Sequence, residues 1–207
     1  MRETIRLRRT PFIEFTHRMA ERIYRNDSRI LSGNPYIVHP QAVAATMQRL
    51  RFSEADIAAG LLHDGPEDHE DITFDWLMDT YADGGFDAQK AGPAVDRVRA
   101  VTYDRACASK HDQQERYRES LLACPKAIPL ALADADDNMG EIVIYLETFK
   151  TNVFGRNYLN CDPRELIKGW LGIAALGFDQ GGSDRRILAL SRTVAERAKR
   201  IEELLRL

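Results

Sequence analysis

Residues 63–68 read His-Asp-Gly-Pro-Glu-Asp and directly follow a helical pattern of apolar residues. That helix can begin at Ser53, since Asp56 lies three residues further on and completes a capping box. A histidine beside an aspartate, followed within one turn by two more carboxylates, is costly to desolvate unless a cation balances the charge. The sequence therefore predicts a metal site where an apolar helix ends.

The composition is typical of a soluble globular protein. The chain has 207 residues, of which 44% are hydrophobic and 29% charged, so we expect residues 1–207 to form a single domain with a sizeable core. The formal net charge of -3 gives no overall attraction to nucleic acid. No stretch approaches the roughly 20 apolar residues of a membrane span. We therefore expect neither a nucleic-acid partner nor a membrane-embedded segment.

Two further features indicate the compartment. The N-terminus carries a short basic arm, interpreted as solvated because no aromatic residue interleaves its arginines, which are Arg2, Arg6, Arg8 and Arg9. No apolar run follows them within the length that a signal peptide requires. The three cysteines are odd in number and form no CxxC pair, which indicates reduced thiols at Cys107, Cys124 and Cys161. A cytoplasmic location is therefore expected.

Helical spacing of apolar residues dominates the chain, and no segment alternates as a β-strand does. Helix starts are predicted at Thr10, Pro40, Thr73 and Asp162, with a further short helix around residues 95–101. The predicted fold class is therefore all-α, a helical bundle.

The last third of the chain is predicted to hold two helices separated by a turn over residues 177–183. The final helix carries an apolar stripe made by Ile187, Leu190, Val194, Ala198, Ile201 and Leu205. Such a stripe is typical of a helix that packs on a core. A homodimer interface is the alternative interpretation.

Two other segments can complete the metal site. His39 precedes Pro40 at the N-terminal edge of a predicted helix. Asp134 and Asn138 are four residues apart, so on a helix they project from one face. The apolar residues 130–133 should carry Asp134 into the interior, whereas Asp136 is interpreted as solvated.

Together these residues form a set with recognisable chemistry. Two imidazoles and two carboxylates suit a divalent transition metal such as Mn²⁺ and leave positions open for water and a phosphate oxygen; the set is His39, His63, Asp64 and Asp134. Glu67 and Asp68 lie about one turn beyond the His-Asp pair, where they can orient or deprotonate an attacking water. Such a site can generate hydroxide near neutral pH.

Three segments resemble the motifs of HD-domain metal-dependent phosphohydrolases, specifically the hydrolase domain of the RelA/SpoT family of alarmone enzymes. Residues 32–40 resemble Ser-Gly-x-Pro-Tyr-Ile-x-His-Pro, and residues 61–68 resemble Leu-Leu-His-Asp-x-x-Glu-Asp. Residues 132–139 fall where the family has Leu-Ala-Asp-Arg-Leu-His-Asn-Met. The resemblance covers about residues 10–145, so residues 146–207 are expected to form C-terminal helices packed on that core.

This resemblance implies a role for each residue of the site. It makes Mn²⁺ the cofactor and implies as its ligands His39, His63, Asp64 and Asp134. It implies that Glu67 and Asp68 are the catalytic carboxylates, and that Tyr36 and Asn138 line the nucleotide pocket. The expected activity is removal of the 3′-pyrophosphate of a (p)ppGpp-like alarmone. An HD-type nucleotidase acting on a 5′-phosphate and a non-catalytic nucleotide-binding module are the alternatives.

The sequence departs from the family at positions that carry cations. Ile30 and Leu31 stand where the family has Arg-Lys, Ala135 replaces an arginine, and Asp137 replaces a histidine. Aliphatic side chains cannot neutralise phosphate, so a guanosine alarmone is expected to be a poorer substrate here than in the family. Arg29, one position away, is the candidate substitute. The family's synthetase domain does not follow, so hydrolysis alone is expected.

Overall fold

The computed structural model describes residues 7, 10–103, 109–149, 154 and 162–206. Within these ranges the regular structure is helical and no strand is formed, which confirms the all-α prediction. The helices are α1 (Pro11–Ile23), α2 (Val38–Arg49), α3 (Glu54–Leu62), α4 (Gly65–Asp68), α5 (Phe74–Asp83), α6 (Ala88–Val101), α7 (Lys110–Ala123), α8 (Ile128–Phe149), α9 (Pro163–Gln180) and α10 (Arg185–Leu205), with a 3₁₀ turn at Pro125–Ala127.

Side-chain caps begin several helices where the sequence predicts them. Thr10 accepts a hydrogen bond from the Ile13 amide at the start of α1. Ser53 and Asp56 form the predicted capping box at the start of α3. Thr73 caps α5 and Asp162 caps α9 in the same way. Each cap satisfies a backbone N–H that the first helical turn leaves without a partner.

Two predicted helix boundaries are wrong. Helix α2 begins at Val38 rather than at Pro40, so His39 lies inside its first turn. Proline is tolerated throughout that turn because its missing N–H would have no intrahelical partner there, so it does not mark the first residue. Helix α6 is not short, since it is capped by Asp87 and runs for 14 residues across Pro93.

The predicted turn over residues 177–183 is also too long. Helix α9 continues to Gln180, and Gly177 lies within it. A Cβ at this glycine would clash with Ser191 of α10 and with Leu132 of α8. Gly177 therefore allows α9 to pack closely against α8 and α10, and it does not mark the end of α9.

Helix α3 forms the centre of the N-terminal part of the fold and packs against α1, α2, α6 and α8. Its residues Ile57, Ala58, Leu61 and Leu62 are all buried. The approach of α2 is unusually close, because a Cβ at Gly60 would lie 3.0 Å from the backbone of Ala44. This packing sets the end of α3 beside the start of α2, where the candidate ligands lie.

Helices α9 and α10 pack against α8 and against each other. The apolar stripe of α10 is buried in that contact at Leu190, Val194, Ala198 and Ile201.

None of the helices in the described ranges has the length and apolarity needed to cross a membrane. Cys124 is a free thiol. Outside the described residues lie the four arginines of the basic arm and two cysteines, Cys107 and Cys161.

Candidate metal centre and active site

Side chains from three parts of the chain converge on one point. His39 comes from the first turn of α2, His63 and Asp64 from the end of α3, and Asp134 from α8. The Nε2 atoms of His39 and His63 are 3.2 Å apart. Asp134 Oδ1 lies 3.1 Å from His39 Nε2, and Asp64 Oδ2 lies 3.1 Å from His63 Nε2. The fold thus brings together all four side chains that the sequence suggests as ligands.

The arrangement of these donors fits a divalent cation. Ligand atoms of His39, His63 and Asp134 all lie within 4.8 Å of one another. Asp64 Oδ2 adds a carboxylate oxygen at 3.4 Å from His39 Nε2. Two imidazole nitrogens and two carboxylate oxygens are the mixed donor set that divalent transition metals accept.

The electrostatics of the cluster favour positive charge at its centre. Burial lowers the pKa of His63, but the adjacent carboxylates of Asp64 and Asp134 outweigh it and bring that pKa to about 10. Burial raises the pKa of each carboxyl group, yet contact with the two histidines leaves the pKa of Asp64 and of Asp134 below the usual range. A cation bound here would supply the charge that these carboxylates require.

Hydrogen bonds on the far side of each imidazole hold its ring. His63 Nδ1 lies 3.0 Å from the carbonyl oxygen of Gly60, an acceptor, so Nδ1 carries the proton and Nε2 faces the cluster. His39 Nδ1 lies 2.8 Å from Asp137 Oδ2. Sequence reasoning missed this role of Asp137, although its spacing of three residues from Asp134 on one helix was a usable signal.

The neighbouring acid Asp136 does not behave as predicted. Its carboxylate pairs with Arg197 of α10, with Asp136 Oδ1 at 2.8 Å from Arg197 Nε, and its side chain is 15% exposed. The prediction of a solvated Asp136 is therefore wrong, because α10 covers the face of α8 from which it projects.

Tyr36 and Asn138 both contact the carboxylates of the cluster. The Tyr36 hydroxyl donates to Asp64 Oδ2 at 2.8 Å, and Asn138 Nδ2 donates to Asp134 Oδ1 at 2.7 Å. Both residues also line the adjoining cavity. They therefore orient two candidate ligands as well as shape the space beside them.

Glu67 and Asp68 lie on the short helix α4 and line the same cavity. Glu67 Oε2 accepts a hydrogen bond of 3.2 Å from the Tyr103 amide. Burial, and then the negative charges of Asp64, Asp68 and Asp134, raise the pKa of Glu67 to about 7. A carboxylate with that pKa can accept a proton near neutral pH.

The cavity has a volume of about 330 Å³ and a mixed lining. The acidic cluster lines part of it. Apolar and aromatic side chains also line it, namely Val101, Tyr103, Tyr117, Ile142, Leu166, Trp170 and Ile173. Tyr103 and Tyr117 stack with ring centres 4.2 Å apart. Such a wall can contact the flat face of a nucleobase.

Among the described residues that line this cavity, Arg29 is the one arginine or lysine. Its guanidinium does not point into open space, because Asp137, Asn138 and Glu141 of α8 accept its hydrogen bonds. Ile30 is 67% exposed at the cavity edge, whereas Leu31 is buried in the core.

Comparison of the sequence with known protein families identifies the family of this chain. The HD domain family model matches residues 17–142, which include every candidate ligand and both carboxylates of α4. The chain belongs to the HD-domain family. Helix α9, which supplies part of the apolar lining of the cavity, lies beyond the matched residues of this HD-domain protein.

Curated relatives confirm the resemblance to RelA/SpoT enzymes. A guanosine-3′,5′-bis(diphosphate) 3′-pyrophosphohydrolase of Aquifex aeolicus is 32% identical over 119 residues, which are 56% of this chain and 16% of that protein. A GTP pyrophosphokinase of Streptomyces antibioticus is 35% identical over 130 residues, 61% of this chain and 14% of that protein. The HD-domain chain thus spans about a sixth of the length of these relatives.

A solved structure of a metazoan ortholog of SpoT that hydrolyzes ppGpp has the same fold. It aligns over 97% of both chains with a TM-score of 0.62. The sequence identity is 18%, so this likeness concerns the fold alone.

Proposed function

We propose that this HD-domain protein is a metal-dependent phosphohydrolase that acts on a nucleotide, with the 3′-pyrophosphate of a guanosine alarmone as the first substrate to test. The observation that carries the proposal is the convergence of His39, His63, Asp64 and Asp134 beside a cavity that Glu67 and Asp68 line. The named activity of the Aquifex relative supports the choice of substrate.

The proposed cofactor is Mn²⁺, held by His39, His63, Asp64 and Asp134. When bound, such a cation supplies Lewis acidity toward water and phosphate oxygens. Tyr36 and Asn138 would keep the Asp64 and Asp134 carboxylates in orientation through their hydrogen bonds.

The proton transfers are assigned to the chain's own carboxylates. Glu67 would accept the proton of the attacking water as the water oxygen bonds to phosphorus, and would return it to the 3′-oxygen as the bond between phosphorus and that oxygen breaks, releasing pyrophosphate and a nucleotide with a free 3′-hydroxyl. The Tyr103 amide keeps Glu67 at the cavity wall, and the raised pKa of about 7 lets Glu67 both take up and return a proton. Asp68, on the same helical turn, would orient the water.

The apolar lining of the cavity would contact the base. Leu166, Trp170 and Ile173 of α9 contribute to it although they lie outside residues 17–142. This supports the proposal that residues 1–207 act as one hydrolase domain, with the C-terminal helices completing the pocket. A homodimer and a cytoplasmic location stay predictions from the sequence.

One observation favours the nucleotidase alternative. Arg29 is already hydrogen-bonded to three α8 side chains, and Ala135 stands where the family has an arginine. Because Arg29 donates hydrogen bonds to α8, this pocket suits a substrate with one phosphate better than a substrate with four. An HD-type 5′-nucleotidase is therefore the second candidate.

The test is a substrate panel with purified protein, Mn²⁺ and an EDTA-treated control. Guanosine tetraphosphate, GDP, and ribo- and deoxyribonucleoside 5′-monophosphates would be incubated separately, and pyrophosphate and phosphate measured as distinct products. Release of pyrophosphate from the alarmone supports the first proposal, and release of phosphate from a monophosphate supports the second. Nucleotide binding without turnover of any compound would contradict both and leave the non-catalytic module.

A further inference from the structure

Asp137 connects a candidate metal ligand to an arginine. Its Oδ2 atom lies 2.8 Å from His39 Nδ1 and 3.0 Å from Arg29 Nη1. His39 is 1% exposed and Arg29 is 7% exposed, so both contacts are shielded from solvent. Shielded charge-assisted hydrogen bonds of this length are among the stronger polar contacts in proteins.

The contact with Asp137 determines which nitrogen of His39 faces the cluster. An acceptor-only carboxylate 2.8 Å from Nδ1 requires the proton on that nitrogen. The lone pair of a neutral imidazole is then on Nε2, the atom that lies among His63, Asp64 and Asp134. Without Asp137 the ring can rotate or adopt the other tautomer, and both changes remove a donor from the cluster.

Arg29 holds Asp137 in turn. Its Nε and Nη2 atoms each lie 2.7 Å from Glu141 Oε2, and Nη2 lies 3.3 Å from Asn138 Oδ1. Every nitrogen of the guanidinium therefore faces an acceptor on α8. A phosphate group that bound Arg29 would compete with these partners for the guanidinium.

We propose that Asp137 is a positioning residue that fixes His39 for cation binding, and that Arg29 holds Asp137 in place for that role. Asp137 and Arg29 form a matched pair, because a histidine at position 137 would bring no negative charge to the guanidinium. The inference rests on the proposed function only in requiring that the cluster binds a cation, and it holds for any nucleotide substrate.

The experiment measures cation affinity, independently of turnover. Mn²⁺ would be titrated calorimetrically into the wild type, Asp137→Ala and Asp136→Ala, with circular dichroism as a check on folding. Loss of the carboxylate behind a ligating histidine weakens metal binding by roughly 10- to 100-fold, so the Kd of Asp137→Ala should rise by that factor. Asp136→Ala is the matched control, since it removes an adjacent acid that pairs with Arg197 on the far side of α8. Its Kd should equal that of the wild type.

A second variant and a second signal keep the test decisive. Asp137→Leu keeps a side chain branched at Cγ without an acceptor and replaces Asp137→Ala if the latter does not fold. Asp137→Asn keeps an acceptor for His39 and should have a Kd between those of the wild type and Asp137→Ala. With Co²⁺ as the probe, the visible absorption should change in Asp137→Ala and not in Asp136→Ala, because a displaced His39 alters the ligand field.

Two failures are distinguishable. If the wild type binds neither Mn²⁺ nor Co²⁺, the metal site of the proposed function fails. If the wild type binds the cation and folded Asp137→Ala or Asp137→Leu binds it equally well, the positioning role of Asp137 is wrong while the proposed function stands.

Discussion

The Nε2 atoms of His39 and His63 lie 3.2 Å apart, although the two residues are 24 positions apart in the sequence and belong to different helices. Their approach depends on the close packing of α2 on α3 at Gly60, where an added Cβ would be 3.0 Å from the Ala44 backbone. The geometry of the candidate metal centre therefore depends in part on a glycine, whose carbonyl oxygen also holds the His63 ring.

Gly60→Ala should consequently separate the two histidines. Overpacking of a tight core contact costs about 1–3 kcal/mol, so the free energy of unfolding should fall by that amount and the Mn²⁺ Kd should rise. Gly92→Ala is the matched control, because Gly92 lies in α6 with open space around it and should gain roughly 0.5–1 kcal/mol. Denaturant titration and calorimetry measure both quantities. Equal stability and equal Kd in the two variants would refute this link.

The activity should increase with pH through the titration of Glu67. Burial, and then the charges of Asp64, Asp68 and Asp134, raise its pKa to about 7, and only the deprotonated form accepts a proton from water. The rate should therefore increase as pH rises toward 7 and level off above it. A bound cation offsets the charges of Asp64 and Asp134, so in the loaded enzyme the inflection should lie below 7 and above the ordinary glutamate range. A pH profile of kcat measures this, and a flat profile across that interval would contradict the role of Glu67.

Glu67→Gln should keep the metal and lose turnover. The amide can still accept the hydrogen bond from the Tyr103 amide, but it cannot take up a proton, and loss of a positioned acid or base lowers kcat by roughly 10²- to 10⁴-fold. Glu70→Gln is the control, since Glu70 is exposed and does not line the cavity. Metal analysis and initial rates would be measured on the same samples. Normal turnover in Glu67→Gln would show that Glu67 has only a structural role.

A site residue can be predicted from the sequence when the pattern that identifies it lies within a few consecutive residues. His63, Asp64, Glu67 and Asp68 are nearly consecutive, and the capping box that starts the preceding helix is also a local pattern, so both are readable from the chain. His39 and Asp134 were found by residue type and by resemblance to a family motif. For all of these residues the sequence gives the identity but not the distances between their atoms.

The features that were missed depend on contacts between distant segments. Arg29 and Asp137 are 108 positions apart, so their ion pair follows only from the packing of the loop before α2 on α8. The prediction that Asp136 is solvated is wrong because its partner Arg197, on α10, lies 61 positions further along the chain. Gly177 was misread because a glycine that ends a helix and one that admits a neighbouring helix look the same in a sequence.

Substrate choice should respond to a cation at position 30. Ile30 is exposed at the cavity edge, so Ile30→Arg can place a guanidinium there without disturbing the core, whereas Leu31→Lys would bury an amine. A charge-assisted hydrogen bond to phosphate is worth about 1.5–3 kcal/mol, so kcat/KM for guanosine tetraphosphate should rise roughly 10- to 100-fold relative to GMP. Ile144→Arg adds the same charge on an exposed part of α8 that does not line the cavity and should leave the ratio unchanged. A similar increase in both variants, or none in Ile30→Arg, would show that the cavity edge does not contact the phosphates.

The metal content of His63→Ala tests the central claim most directly. Equilibrium dialysis against Mn²⁺ followed by metal analysis would compare the wild type, His63→Ala and His17→Ala, the last being a partly exposed histidine on α1 that contacts Gln41 outside the cluster. Removal of a buried ligand leaves the Asp64 and Asp134 carboxylates unbalanced, so His63→Ala should lose the bound Mn²⁺ and any Mn²⁺-dependent hydrolysis, while the wild type and His17→Ala retain both. Wild-type Mn²⁺ content in a folded His63→Ala variant would contradict the metal centre on which this account rests.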